Sequence, residues 1–249
     1  MPVVPSTGQP SGGAAFFDLD RTILRRSSML ALAPTLRRHG LIGWRSLGRA
    51  SLWHVVYLVR GVSSEELDDV AEQTFGLMRD WPVDGFRALV AEQINPLAAL
   101  AFPDAIARMR AHQRRGERVI VVSSSLADLV EPLAVRLGLD GTIASRAEVQ
   151  EGRYTGRVER FMHGAAKADA LRGYAAEHGI DLAAASAYTD SRSDLQLLEV
   201  VGHPFAVNPD RALKKAALAN GWPVLRFASS KLSLAEAEAA LLLDLDGAA

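Results

Sequence analysis

Cysteine is absent from the 249 residues. Disulfides, thiol nucleophiles and cysteine-ligated zinc are therefore excluded. Such a composition suits a reducing cytosol, and a cytoplasmic location is the expectation. No apolar run approaches the length needed to cross a bilayer. The N-terminal residues also lack a charged region followed by an apolar core, so no secretory leader is expected. An excess of one charge is missing too. The formal net charge is −1, which excludes a polyelectrolyte role such as nucleic-acid coating. Lysine is scarce: only four of the 28 basic side chains are lysine, and the rest are arginine. Aromatic residues are 6% of the chain, yet 49% is hydrophobic, enough to bury a core without covalent staples.

What is present alternates in a readable way. Residues 1–13 are rich in Pro, Gly and Ser and read as a flexible tail. Ala14-Ala15-Phe16-Phe17 is a short apolar run ending in Asp18-Leu19-Asp20, the pattern of a buried strand with polar groups at its carboxyl end. Residues 27–97 look helical. Ser27 or Ser28 can cap a first helix that stops near Gly40, Ser63 to Glu66 matches a capping box, and Pro82 opens a further helix. From about residue 98 helices and apolar runs alternate. Helix 103–115 precedes strand 119–122, and helix 127–137 ends at Gly138 before a weaker strand at 142–144. Residues 147–158 suggest a hairpin turning at Glu151-Gly152-Arg153. Helix 165–178, strand 185–189, helix 193–199, strand 204–207, helix 210–219, strand 223–227 and a terminal helix at 233–248 complete the pattern.

This alternation predicts an α/β fold: a Rossmann-like parallel sheet with helices on both faces, plus an inserted α-helical cap. The expected division is a catalytic core of 14–26 and 98–232, a cap of 27–97, and a C-terminal helix within 233–249. Ligands of such sheets sit at the carboxyl ends of the strands. There the sequence places Asp18, Asp20 and Thr22 after the first strand and Ser123 with Ser124 after the second. Asp190 and Asp194 follow a later strand, and Lys167 starts the helix after the hairpin. Taken singly, each has an ordinary reading as a cap, a turn residue or a solvated charge. Together they describe a site. Several carboxylates gathered at one place repel one another unless a hard cation offsets them, and Mg2+ suits such a set. A lysine and a hydroxyl facing the same point fit a phosphate group. One carboxylate can then act as nucleophile, and a second, two residues on, can serve as general acid and base.

Phe17-Asp18-Leu19-Asp20-Arg21-Thr22, Val121-Val122-Ser123, Lys167 and Tyr188 to Asp194 resemble the four ordered motifs of the haloacid dehalogenase (HAD) superfamily. An insertion directly after the first motif, together with Gly152 to Gly156, is similar to the phosphoserine-phosphatase-like branch. The resemblance implies a Mg2+-dependent phosphatase acting on a small phosphate monoester. It implies Asp18 as nucleophile and metal ligand, and Asp20 as general acid/base with its carbonyl on the metal. Asp190 and Asp194 complete the metal site, while Thr22 supports the loop. Ser123 and Lys167 hold phosphate, and Ser124 stands where relatives usually carry glycine. Arg21 and Arg192 lie inside the motifs and can reach a substrate. Phosphotransfer to an alcohol uses the same residues and stays open.

A receiver-like signalling domain fits less well, because it is shorter and lacks both the cap and the second aspartate. A non-enzymatic binding protein on this fold would be expected to have lost Asp18, Asp20 or Lys167. A transmembrane ion pump lacks its helices here, and a dinucleotide enzyme lacks its glycine-rich first turn. Within the cap, residues 21–60 carry eight arginines and no acid, whereas residues 61–100 carry eight acids and two arginines. The halves can neutralise one another, or the basic half can steer an anionic ester. Alternatively, the basic half, with Leu41, Ile42, Trp44 and Trp53, touches an anionic membrane, as a lysophospholipid-type phosphatase would.

Overall fold

The computed structural model describes residues 13–42 and 75–228. The Ser63 to Glu66 capping box, Trp44, Trp53, nearly all of the N-terminal tail and the terminal helix lie outside these residues. Strand β1 (Ala14–Asp18) leads into helix α1 (Ser28–Arg38). Helices α2 (Val83–Ala98) and α3 (Pro103–Arg114) precede β2 (Arg118–Leu126) and α4 (Ala127–Leu137). Then come β3 (Gly141–Gln150), β4 (Arg153–Arg160), α5 (Ala165–His178), β5 (Ser186–Thr189), α6 (Leu195–Glu199), β6 (His203–Val207), α7 (Arg211–Ala219) and β7 (Val224–Leu225).

The sheet order is β4-β3-β2-β1-β5-β6-β7. All neighbours are parallel except the antiparallel β3–β4 hairpin. The central strands β1 and β5, and β2 from Val119 to Ser123, are buried on both faces, as a sheet covered on both sides requires. Ala15 and Phe17 of β1 join Val119, Val121 and Tyr188 on one face, under α1 to α4. Ala14 and Phe16 join Ile120, Val122 and Ala187 on the other, under α5 to α7. This is the predicted three-layer α/β architecture. Phe17, Tyr188 and Phe205 stack across three neighbouring strands, with centroid separations of 4.2 and 4.7 Å. The stack fixes β1, β5 and β6 side by side on the face that α3 covers.

Several boundaries differ from those read in the sequence. β2 continues past residue 122 through Ser123, Ser124 and Ser125, with a register shift between Ser123 and Leu126. Three serines carry no strand signal, and the extension comes from pairing with β3. β3 merges the predicted 142–144 strand with the first arm of the hairpin. The expected helix at 193–199 opens as a 3-10 turn over Arg192–Asp194. The last strand shortens to two residues. Ser27 is the residue that caps α1, its hydroxyl accepting from Leu30 N.

One glycine position is dictated by close approach. Gly202 N–H donates to the Leu182 carbonyl at 2.8 Å. A Cβ there would be driven into the Ala183 carbonyl, which is backbone and cannot swing aside. Gly202→Ala is expected to lower stability by about 1–3 kcal/mol, the usual range for overpacking. Urea unfolding checks this as a lower midpoint with an unchanged slope.

Candidate active site

The carboxyl edge of the sheet collects the charged residues. Asp18 ends β1, beside Val122 of β2 in register. β5 lies on the other side of β1, so Asp190 emerges one residue after β5 next to Asp18. Lys167 comes from the first turn of α5. Gly164 precedes that helix with φ 55° and ψ −126°, a conformation that only glycine adopts readily. Gly164 thereby turns the chain so that α5 starts at the sheet edge.

Lys167 is 2% exposed. Its Nζ donates to Asp18 Oδ1 at 2.6 Å and to Asp194 Oδ2 at 2.8 Å. Thr189 Oγ1 donates to the same Asp194 oxygen at 2.8 Å. Burial alone would strip the proton from this ammonium, but two carboxylates in direct contact hold it firmly charged. Asp190 Oδ2 pairs with Arg21 Nη2 at 2.8 Å. Its backbone carbonyl accepts from Asp210 N–H at 2.8 Å, and the Asp210 side chain accepts from Arg192 N and Leu213 N. Asp210 thus ties the 190–192 loop to the start of α7.

Asp20 sits in the tight turn after β1, and its Oδ1 accepts from Ser28 N–H at the N-terminus of α1. Burial raises its pKa, although that hydrogen bond opposes the shift. Thr22 is fully buried, and its hydroxyl has no hydrogen-bond partner among the described residues. Ser123 is buried, with Oγ accepting from Ser125 N–H at 3.1 Å. The Ser124 carbonyl accepts from Ser145 Oγ, which in turn accepts from Met162 N–H. The structure therefore joins Asp18, Lys167 and Asp194 directly. It leaves Thr22, Ser123 and Ser124 without a hydrogen bond to that cluster.

Thr189, Ser28, Ser145 and Asp210 support the site, and the sequence assigned none of them a role in it. Asp210 had a legible signal as the cap before α7. Thr189 and Ser28 bond aspartates only five and eight positions away, but a lone Thr or Ser there is also an ordinary strand or cap residue; Ser145 meets partners seventeen and twenty-one positions away.

The donor set suits a small hard cation. Asp18, Asp190 and Asp194 act on one another electrostatically. Burial, with that repulsion, pushes the Asp18 carboxyl up to about 8 against the pull of Lys167. Asp190 is pushed up to about 7 against the pull of Arg21. Lys167 and Arg21 therefore do not fully offset burial and mutual repulsion when these carboxyls ionise. In addition, the buried Asp194 Oδ1 has no partner among the described residues. Among the described residues no three His, Asp or Glu side chains form a ready cation cage. An ion that takes one or two carboxylates and keeps its water fits this spacing better than one needing a full protein cage.

Residues 15–199 match the haloacid dehalogenase-like hydrolase family, and the chain belongs to that family. It is 39% identical over 216 residues to an "inhibition of morphological differentiation protein" of Streptomyces azureus, covering 86% of this chain and 78% of that one. It is also 39% identical over 215 residues to a probable phosphatase of Mycobacterium tuberculosis, covering 86% and 75% respectively. A solved structure from Bordetella pertussis, of unknown function, superposes with a TM-score of 0.74 at 27% identity. That match covers 88% of this chain and all of that one. Among the described residues no helix is long and apolar enough to cross a membrane.

The raised carboxyls predict a pH dependence for the metal-free protein. A carboxyl whose pKa rises on folding contributes stability fully below its unfolded value, near ~4. That contribution is lost as pH climbs through about 7 for Asp190 and about 8 for Asp18. In EDTA the urea midpoint should fall across this window, and Asp18→Asn should fall less than wild type. Equal pH profiles for the two proteins would contradict the assignment of raised carboxyls.

Proposed function

We propose that the chain is a magnesium-dependent phosphatase that hydrolyses a small phosphate monoester through a phosphoaspartate on Asp18. The observation that carries this reading is the buried Lys167 ammonium bridging Asp18 and Asp194 at the sheet edge. A fixed cation beside a nucleophilic carboxylate is where a phosphoryl group gains most from electrostatic stabilisation. Residues 14–26 and 98–232 form the catalytic core in this reading, and 27–97 the helical cap. The cysteine-free composition suits a cytoplasmic setting.

The chemistry proceeds in two displacements. An Asp18 oxygen attacks phosphorus and the bond to the ester oxygen breaks. Asp20, whose pKa burial raises, passes its proton to the departing alkoxide. Asp20 then takes a proton from water, whose oxygen attacks phosphorus. The Asp18–phosphorus bond breaks, and phosphate leaves. Lys167 offsets charge on the phosphoryl oxygens throughout. The Ser123 hydroxyl accepts from Ser125 N–H, so its own proton is available to a phosphate oxygen. Thr22 supports the turn that carries Asp20, and Ser124 narrows the space beside the phosphate. Asp18, Asp190 and the Asp20 carbonyl would hold Mg2+, with Asp194 in support, and the bound ion would supply positive charge to the phosphoryl oxygens.

With p-nitrophenyl phosphate and Mg2+, Asp18→Asn should show no turnover while remaining folded. Asp20→Asn should slow turnover by about 10²- to 10⁴-fold, the usual weight of one acid–base group. EDTA should stop the reaction and added Mg2+ restore it. Wild-type rates from the folded Asp18→Asn protein would overturn the mechanism.

A further inference from the structure

Among the described residues, Lys167 and Arg21 form ion pairs with the site carboxylates, and they are held very differently. The Lys167 side chain is 3% exposed and pinned between Asp18 and Asp194, so it has no route to water. The Arg21 side chain is 43% exposed, although the Asp190 carboxylate it grips is 6% exposed. Arg21 also adopts φ 62°, a left-handed conformation unfavourable for a side chain of this kind. The turn around it is fixed at its far end, where Ile23 N–H and Leu24 N–H both donate to the Leu19 carbonyl. The guanidinium is thus presented from the apex of a strained, anchored turn onto one oxygen of Asp190. Its outer side faces water.

We propose that Arg21 is an exchangeable counter-cation. Its guanidinium occupies Asp190 while the metal is absent, and the incoming metal displaces it. This rests on the metal-dependent reading given above. Lys167 is the permanent cation of the site, and Arg21 is the replaceable one. Metal-free, the pairing spares Asp190 from facing Asp18 and Asp194 with only the shared Lys167 charge to offset them. Metal entry then trades one positive group for another, and the freed guanidinium can move into solvent without burying an unpaired charge. The consequence is that Arg21 weakens the site's affinity for Mg2+.

Titration of Mg2+ into EDTA-stripped protein by calorimetry tests this without any turnover. Arg21→Ala removes the guanidinium but keeps the strained backbone, whereas Arg21→Gly removes both. Both variants are expected to bind Mg2+ about fivefold more tightly than wild type, which corresponds to about 1 kcal/mol. Equal or weaker affinity in both variants would overturn the proposal. Tighter binding in Arg21→Gly alone would also overturn it, because the backbone and not the charge would then be responsible. Mg2+-dependent hydrolysis of p-nitrophenyl phosphate by wild type reports separately on the phosphatase reading. Unchanged affinity beside an active wild-type enzyme therefore defeats only the role of Arg21.

Discussion

A buried ammonium between two buried carboxylates is the constraint around which this molecule is organised. Removing such a group from water costs several kcal/mol, which only close partners offset. Lys167 finds those partners because Asp18 ends the central strand and Asp194 follows the strand beside it. The arrangement requires β1 next to β5, which the Phe17–Tyr188 stack enforces from one face. It also requires α5 to begin at the sheet edge, which Gly164 permits. Packing and site chemistry are therefore one problem here. Deleting the lysine would leave two buried carboxylates facing one another, so the same residue supports both the fold and the proposed reaction.

Charge at the edge is shared unevenly. Lys167 serves Asp18 and Asp194, while Arg21 serves Asp190. Even so, Asp18 and Asp190 stay well above the ordinary carboxylate range. A site in that condition favours any additional positive charge of the right size. The formal charge of −1 conceals this, because it averages an acidic edge with an arginine-rich segment after β1. Within the described part of that segment, one arginine binds backbone oxygens. Arg25 donates to the carbonyls of Ala99 and Leu100 at the end of α2. Across the insertion boundary, Arg87 of α2 reaches Asp128 of α4.

The sequence made the layered sheet legible because its strands are apolar runs and its helices stop at glycines such as Gly138 and Gly179, both left-handed at their helix ends. The site aspartates were legible because they sit at strand ends. The length of β2 was not, since it continues through a bulge at Ser124 and Ser125, held by the pairing of Ser123 and Leu126 with β3. Nor were the bonds that tie the insertion to the core. Asp80 N–H donates to the Tyr154 carbonyl and Tyr154 N–H donates to the Trp81 carbonyl, joining residues more than seventy positions apart through backbone alone. No side-chain pattern announces such pairing. Lys167 illustrates both sides: its position was readable, but its burial between two carboxylates was not.

The central claim is that Asp18 carries the phosphoryl group. Acid quenching during steady turnover, followed by peptide mass spectrometry, tests it most directly. The account predicts one added phosphoryl group on the peptide containing Asp18, located by fragmentation to Asp18 itself. A phosphoryl group on another residue, or an unmodified Asp18 peptide in a sample caught during rapid turnover, would contradict it.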